Sequence, residues 1–178
     1  GQRPRHLSSI HIAALTGNTP IIELLVEMGV SVNSTNNKND TPILWAARNN
    51  HISTVRRLIQ LDADLQCEND KGSTPLYWAV RYGYPELVKI LIKEGKANIH
   101  QRRKLGLVSP IVLASALGYT EILKTLIEHG ADVNIKIPGG QTSLQMACFH
   151  DNEKSALVLL ENGASIDDSD DSGNTPLM

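Results

Sequence analysis

Residues 41–47 read Thr-Pro-Ile-Leu-Trp-Ala-Ala, and residues 74–80 read Thr-Pro-Leu-Tyr-Trp-Ala-Val. The two stretches lie 33 residues apart, and the spacing continues in both directions. Ser109-Pro110, Thr142-Ser143 and Thr175-Pro176 open equivalent segments, with Ser8-Ser9 as a weaker first start; the steps are 33, 33, 35, 33 and 33 residues. Self-similarity at a fixed period marks a repeat architecture, in which each unit buries its apolar face against the next. Thr or Ser before Pro supplies a helix N-cap with proline at the first helical position, where its missing N–H costs nothing. Behind each cap lies an apolar run of about two turns, carrying Ala13, Ala46, Ala79, Ala114 or Ala147. These small residues permit close approach of a neighbouring helix. Gly17, Gly83 and Gly118 then supply stops, with Asn50 and Asp151 in the same place in the second and fifth units. A second apolar stretch follows, with helical spacing as in Leu87, Ile90 and Leu91, ending at Gly29, Asp62, Gly95, Gly130 or Gly163. Hairpin-like segments such as residues 63–73 and 131–141 link each unit to the next.

Composition narrows the function classes. The chain has 178 residues, 17 basic against 19 acidic, a net charge of −2, and only 4% aromatic residues. That balance argues against a general nucleic-acid or membrane-surface binder, since both need an excess of positive charge. Cys67 and Cys148 are too few and too far apart for a disulfide framework or a four-ligand zinc site, so a reducing, intracellular and cytoplasmic setting is the expectation. No apolar run approaches the roughly 20 residues of a membrane span, so direct membrane insertion is not expected. Residues 1–9 show no signal-peptide pattern.

The repeated segments resemble ankyrin repeats, whose signature is a 33-residue period with Thr-Pro-Leu-His-x-Ala. Residues 41–47 and 74–80 match it, as do Gly130–Asn134 (GADVN) and Asp170–Leu177 (DDSGNTPL). The resemblance implies an all-α repeat solenoid, with a helix-turn-helix plus a β-hairpin loop per unit. It implies one domain, 1–178, with units at about 3–35, 36–68, 69–103, 104–136 and 137–169 and a partial unit at 170–178. Neither end resembles a polar cap, so a fragment of a longer protein is expected. The family's histidine is present only as His11; Leu44, Tyr77, Val112 and Gln145 replace it elsewhere. The inter-repeat hydrogen-bond network that the histidine makes in the family is therefore expected to be weaker or apolar. The 35-residue step carries two extra residues, placed near Lys96 and in the loop 100–108.

No catalytic constellation emerges. His6, His11, His51, His100, His129 and His150 show no ligand spacing with cysteine. No phosphate-loop or nucleophile-elbow motif occurs, and Gly139-Gly140 has hairpin context. The acidic pairs Asp167-Asp168 and Asp170-Asp171 read as a solvated turn. Arg102-Arg103-Lys104 reads as a solvated basic loop. No enzyme and no cofactor or metal is expected.

The resemblance also implies a concave face made of first helices and hairpins, and recognition is expected there. One first-helix register reads Ile12, Trp45, Trp78, Leu113, Met146, an expected apolar stripe. The next registers read Leu15-Thr16, Arg48-Asn49, Arg81-Tyr82, Ala116-Leu117 and Phe149-His150. Loop tips supply Lys38, Asp40, Lys71, Ser73, Leu105, Leu107, Val108 and Gln141. The candidate partner-binding residues are Trp45, Arg48, Asn49, Lys71, Trp78, Arg81, Tyr82, Leu113, Leu117, Met146, Phe149 and His150. Paired arginines beside aromatics suit an acidic or phosphorylated protein segment. Two other roles fit the pattern. One is a structural spacer or intramolecular docking segment of a larger enzyme, channel or scaffold. The other is a methyl-lysine reader built from Trp45, Trp78, Tyr82 and Asp40.

Overall fold

The computed structural model describes residues 7–102 and 108–176. Leu105, Leu107, Arg103 and Lys104, singled out above, lie outside the described residues. Ten helices are present among the described residues, in five pairs. The first members are α1 (Ser9–Thr16), α3 (Pro42–Arg48), α5 (Pro75–Arg81), α7 (Pro110–Ala116) and α9 (Ser143–Phe149). The second members are α2 (Thr19–Glu27), α4 (Ile52–Gln60), α6 (Pro85–Lys93), α8 (Thr120–Glu128) and α10 (Glu153–Glu161). Each first helix packs on the next first helix, from α1 to α9, and each is also packed against its own second helix. The core therefore runs along the array rather than sitting at one centre. Ala13, Ala46, Ala79, Ala114 and Ala147 are all buried, at 0–3% exposure, so the first helices meet without side-chain bulk between them.

Helix starts follow the cap chemistry unevenly. Thr74 Oγ1 accepts from the Tyr77 N–H at 3.0 Å, and Thr142 Oγ1 from the Gln145 N–H at 3.2 Å. Thr41 makes no such bond; its hydroxyl instead lies 3.1 Å from Cys67 Sγ. Helix stops are more regular. Gly17, Asn50, Gly83, Gly118 and Asp151 all have positive φ, from 54° to 73°, after the first helix. After the second helix the left-handed residues are Gly29, Asp62, Lys96, Gly130 and Gly163. Gly95, expected as the third of these stops, does not fill that role. The inserted residue moves the turn to Lys96, with φ 53°. Gly95 is glycine for another reason: a Cβ there would collide with Leu65 and with the Leu91 carbonyl oxygen.

The hairpin segments contain no strand among the described residues, and one isolated bridge pairs Lys136 with Thr142. Side-chain turns hold them instead. Asn36 Oδ1 accepts from the Lys38 and Asp40 N–H groups, both at 2.9 Å, and Asn69 Oδ1 accepts from those of Lys71 and Ser73. Neighbouring loops are then joined: Asn69 Nδ2 donates to Asp40 Oδ1 and Asn39 Nδ2 to Asp70 Oδ1. On the opposite side, ion pairs link successive second helices. Arg57 pairs with Glu23, Arg56 with Glu86 and Glu94, and Lys89 with Glu121 at 2.8 Å. The Glu121 carboxylate raises the Lys89 pKa, chiefly through that hydrogen bond.

The expected loss of the histidine network holds only in part. His11 Nε2–H donates to the Asp40 carbonyl at 2.9 Å, while its Nδ1 accepts from Ser8 Oγ at 2.7 Å. Gln145 reproduces this tie. Its Nε2 donates to the Asn174 carbonyl at 2.6 Å, again 29 residues ahead, and its Oε1 accepts from the Thr142 N–H. An amide carries both a donor and an acceptor, as a neutral imidazole does, so the polar staple survives the change of residue. Leu44 and Val112 are buried and apolar in the same register.

Candidate functional site

The face made by the first helices and loops is most elaborated between α3 and α5. Trp45 lies in the fourth position of α3 and Trp78 in the fourth position of α5, so the 33-residue period sets them on adjacent rungs. Their environments differ. Trp45 is only 6% exposed and packs in the inter-repeat core; Trp78 is half-buried. The expected continuous apolar stripe is therefore interrupted at Trp45, because the neighbouring rung covers most of its indole. Ile12 is 49% exposed, and Leu113 and Met146 are half-buried.

Arg48, the last residue of α3, turns its guanidinium over both indoles. The distance to the ring centroid is 4.9 Å for Trp78 and 5.6 Å for Trp45. Trp78 is held from its other neighbours as well. Tyr82 stacks on it at 5.7 Å with 12° between the planes, and Tyr77 meets it edge-on at 5.3 Å. Tyr84 continues the row against Tyr82 at 5.9 Å. A guanidinium over an indole face is attracted by the ring quadrupole, and here two rings share one cation. The row fixes Arg48 before any partner arrives.

In front of this row is a depression of about 290 Å³. Lys38, Arg48 and Lys71 line it together with Asp40 and Asp70, over Leu44, Trp45 and Trp78. Asp40 is engaged by Asn36 and Asn69, and Asp70 by Asn39. Lys38 and Lys71 occupy one register of adjacent loops and, among the described residues, form no ion pair. Asn69 and Asp70, which were not among the candidates, belong to this wall. Their signal was available in the 33-residue step from Asn36 and Asn37.

The other candidates distribute along the face. Asn49 is exposed, but its Nδ2 is committed to the Trp45 carbonyl at 2.8 Å. Arg81 and Tyr82 are exposed at the end of α5. Leu117 is half-buried at the end of α7. Phe149 is 79% exposed, with the His150 ring edge-on at 5.1 Å. A second depression, of about 460 Å³, lies beside Phe149 and is lined also by Gln141, Gln145, Cys148, Asp170 and Asn174. Trp45, Arg48, Lys71 and Trp78 thus gather at one depression and Phe149 at the other, while Leu113, Leu117 and Met146 line neither.

Some residues with chemical potential serve the fold. His51 Nε2–H donates to the Leu15 carbonyl of the preceding repeat at 2.9 Å. Asn152 does the same to Ser115 and Ala116, and Tyr119 lies against Gly83. Cys67 is half-buried, and that burial pushes its thiol up from 9.0 to about 11, so it is protonated at neutral pH. Cys148 is exposed. No group of three or more His, Cys, Asp or Glu side chains among the described residues could hold a metal ion. No helix among them is long and apolar enough to cross a membrane.

The family model described as ankyrin repeats (3 copies) matches residues 10–103 and 111–178. The chain belongs to the ankyrin repeat family. Ankyrin repeats are generally protein–protein interaction modules without catalytic activity. The crystal structure of the human ASB11 ankyrin repeat domain superposes with a TM-score of 0.83 at 27% identity, over 96% of this chain and 76% of that one. Human ankyrin repeat and KH domain-containing protein 1 is 38% identical over 93 residues, which is 51% of this chain and 4% of that protein. Human neurogenic locus notch homolog protein 1 is 34% identical over 90 residues, again 51% of this chain and 4% of the relative. The matched stretch is therefore a small part of either relative.

Proposed function

We propose that this ankyrin array is a non-catalytic scaffold or adaptor module that holds a segment of another protein against its first-helix and loop face. The carrying observation is the depression between repeats two and three, floored by Trp45 and Trp78 and edged by Lys38, Arg48 and Lys71. Large aromatic anchors beside arginine are the composition of interface hot spots. The cations favour an acidic partner segment. The net charge of −2 argues against a general nucleic-acid partner. Two free cysteines, Cys67 and Cys148, fit a cytoplasmic setting.

The methyl-lysine reading is disfavoured by the same geometry. Arg48 already occupies the aromatic box, and a second cation there would face a guanidinium 4.9 Å from the Trp78 ring. The spacer reading draws support from the ion pairs joining α2, α4, α6 and α8, which tie rungs together on the side away from the depression. A proximity screen with the chain and a folded Trp78→Ala variant separates the two. A partner recognised through the depression should lose about 30-fold in affinity or more on the substitution, as expected for a hot spot. Unchanged capture by the variant overturns the central-site reading and leaves the spacer role.

A further inference from the structure

We infer that the segment recognised is bipartite, with a carboxylate side chain lying over repeats two and three and an apolar stretch lying over repeats four and five. The inference rests on the reading that this face is the recognition surface, and deepens it by specifying the partner's layout. Two first-helix registers change character at the same point along the array, and the loop-tip register has changed by repeat five. The tip register has Lys38 and Lys71 in repeats two and three, then Gly139 in repeat five and Ser172 in the partial sixth unit, with Asp170 and Asp171 beside it; its repeat-four position lies outside the described residues. The helix-end register has Arg48 and Arg81, then Ala116 and Phe149. The indole register has Trp45 and Trp78, then Leu113 and Met146. A cationic–aromatic half thus adjoins an aliphatic half, and the 79% exposed Phe149 is the largest uncovered side chain of the latter.

The charge in the first depression selects the anion. Three cations face two carboxylates there, which leaves one net positive charge. That matches a single carboxylate. A dianionic phosphate would be over-charged for the site and would be repelled by Asp40 and Asp70. Arg48 is the fork that receives the carboxylate, already oriented by two indoles at 4.9 and 5.6 Å. At the far end Asp170 lines the second depression and repels an acidic stretch. The acidic part is thereby kept over repeats two and three. The two halves are centred two rungs apart, about 20 Å at the usual spacing of packed helices. That span is about six residues of extended chain or about 13 residues of helix.

The test is selection of a phage-displayed library of random 16-residue peptides on the whole 178-residue chain, followed by fluorescence anisotropy of the enriched sequences. Peptides are expected to carry an Asp/Glu group and a Leu/Ile/Phe/Met group at one of those separations, and to bind about 30-fold more weakly or worse to Trp78→Ala. Lys38→Glu with Lys71→Glu should weaken them as much, and replacing the peptide's acidic residues with Lys should restore binding to that variant. Phe149→Ser should weaken only peptides that keep their apolar group. Peptides that need Trp78 but show no acidic group, tolerate a spacer shortened by three residues, or bind tighter with phosphoserine in place of the acid overturn the bipartite layout and leave the groove reading standing. Peptides indifferent to Trp78→Ala, or a library that yields no binder, overturn the groove reading itself.

Discussion

Replacing Trp78 with Ala removes three defined contacts: the Tyr82 stack at 5.7 Å, the Tyr77 edge at 5.3 Å and the nearer of the two Arg48 contacts at 4.9 Å. Aromatic pairs contribute about 0.5–1.5 kcal/mol each beyond the area they bury. A cation over a part-exposed ring contributes about 0.5–1 kcal/mol. Their sum places the loss at about 1.5–4 kcal/mol. For a chain of this size each kcal/mol lowers Tm by about 2–4 °C, so a fall of roughly 3–16 °C is expected. Urea unfolding followed by far-ultraviolet circular dichroism measures this without relying on the deleted fluorophore. Emission gives an independent check, since the chain holds only two tryptophans. The variant retains Trp45 alone, which is 6% exposed and should emit at short wavelength and resist acrylamide. A stability loss below about 0.5 kcal/mol would refute the aromatic row, because even one of these contacts should exceed it.

Three further outcomes follow from other parts of the array. Gln145→Ala removes the 2.6 Å bond to Asn174 and the return bond to Thr142, and should cost about 1–3 kcal/mol with faster amide exchange at 142–145 and 170–174; Gln145→His should recover the Asn174 tie, and equal exchange in both variants would exclude it. Gly118→Ala meets two penalties, a φ of 71° and a Cβ 2.5 Å from Asn152 Oδ1, whereas Gly163→Ala meets only a φ of 85° in open space. The left-handed penalty is about 1–2 kcal/mol for each, so calorimetry should find the larger loss in Gly118→Ala, and equal losses would refute the Asn152 staple. With an aromatic disulfide reagent at pH 8, exposed Cys148 should react promptly and Cys67 only on unfolding. Because the buried Cys67 thiol ionises at about 11 when folded and at 9.0 when not, the unfolded chain binds fewer protons between those values; stability should fall as pH rises through that window, and a Cys67→Ser variant that falls as steeply would refute the assignment.

The helix pairs were legible because their signals are local. Thr-Pro caps, apolar spacing and stop residues act within a few positions, and repetition in register removed the ambiguity of each. Even the non-glycine stops Asn50, Asp62 and Asp151 were readable, since short polar side chains tolerate positive φ. Gly95 was misread because a one-residue insertion changes which residue must turn, and only the backbone path reveals it. Gln145 was misread as a lost staple because its donor is useful only if the Asn174 carbonyl lies within reach.

The candidate site shows the same boundary. Sequence placed Trp45, Trp78, Arg48 and Arg81 on adjacent rungs, because a 33-residue period fixes which residues stand side by side. It could not tell an anchor from a core residue, for burial depends on how closely the neighbouring rung approaches. Packing made Trp45 almost inaccessible, left Trp78 half-open, and set the Arg48 guanidinium over both rings. Periodicity, a property of the chain, thus determined the fold and the order of side chains along it. Which of those side chains meet solvent, and which meet each other, is a property of distances between rungs, and only the tertiary structure decided it.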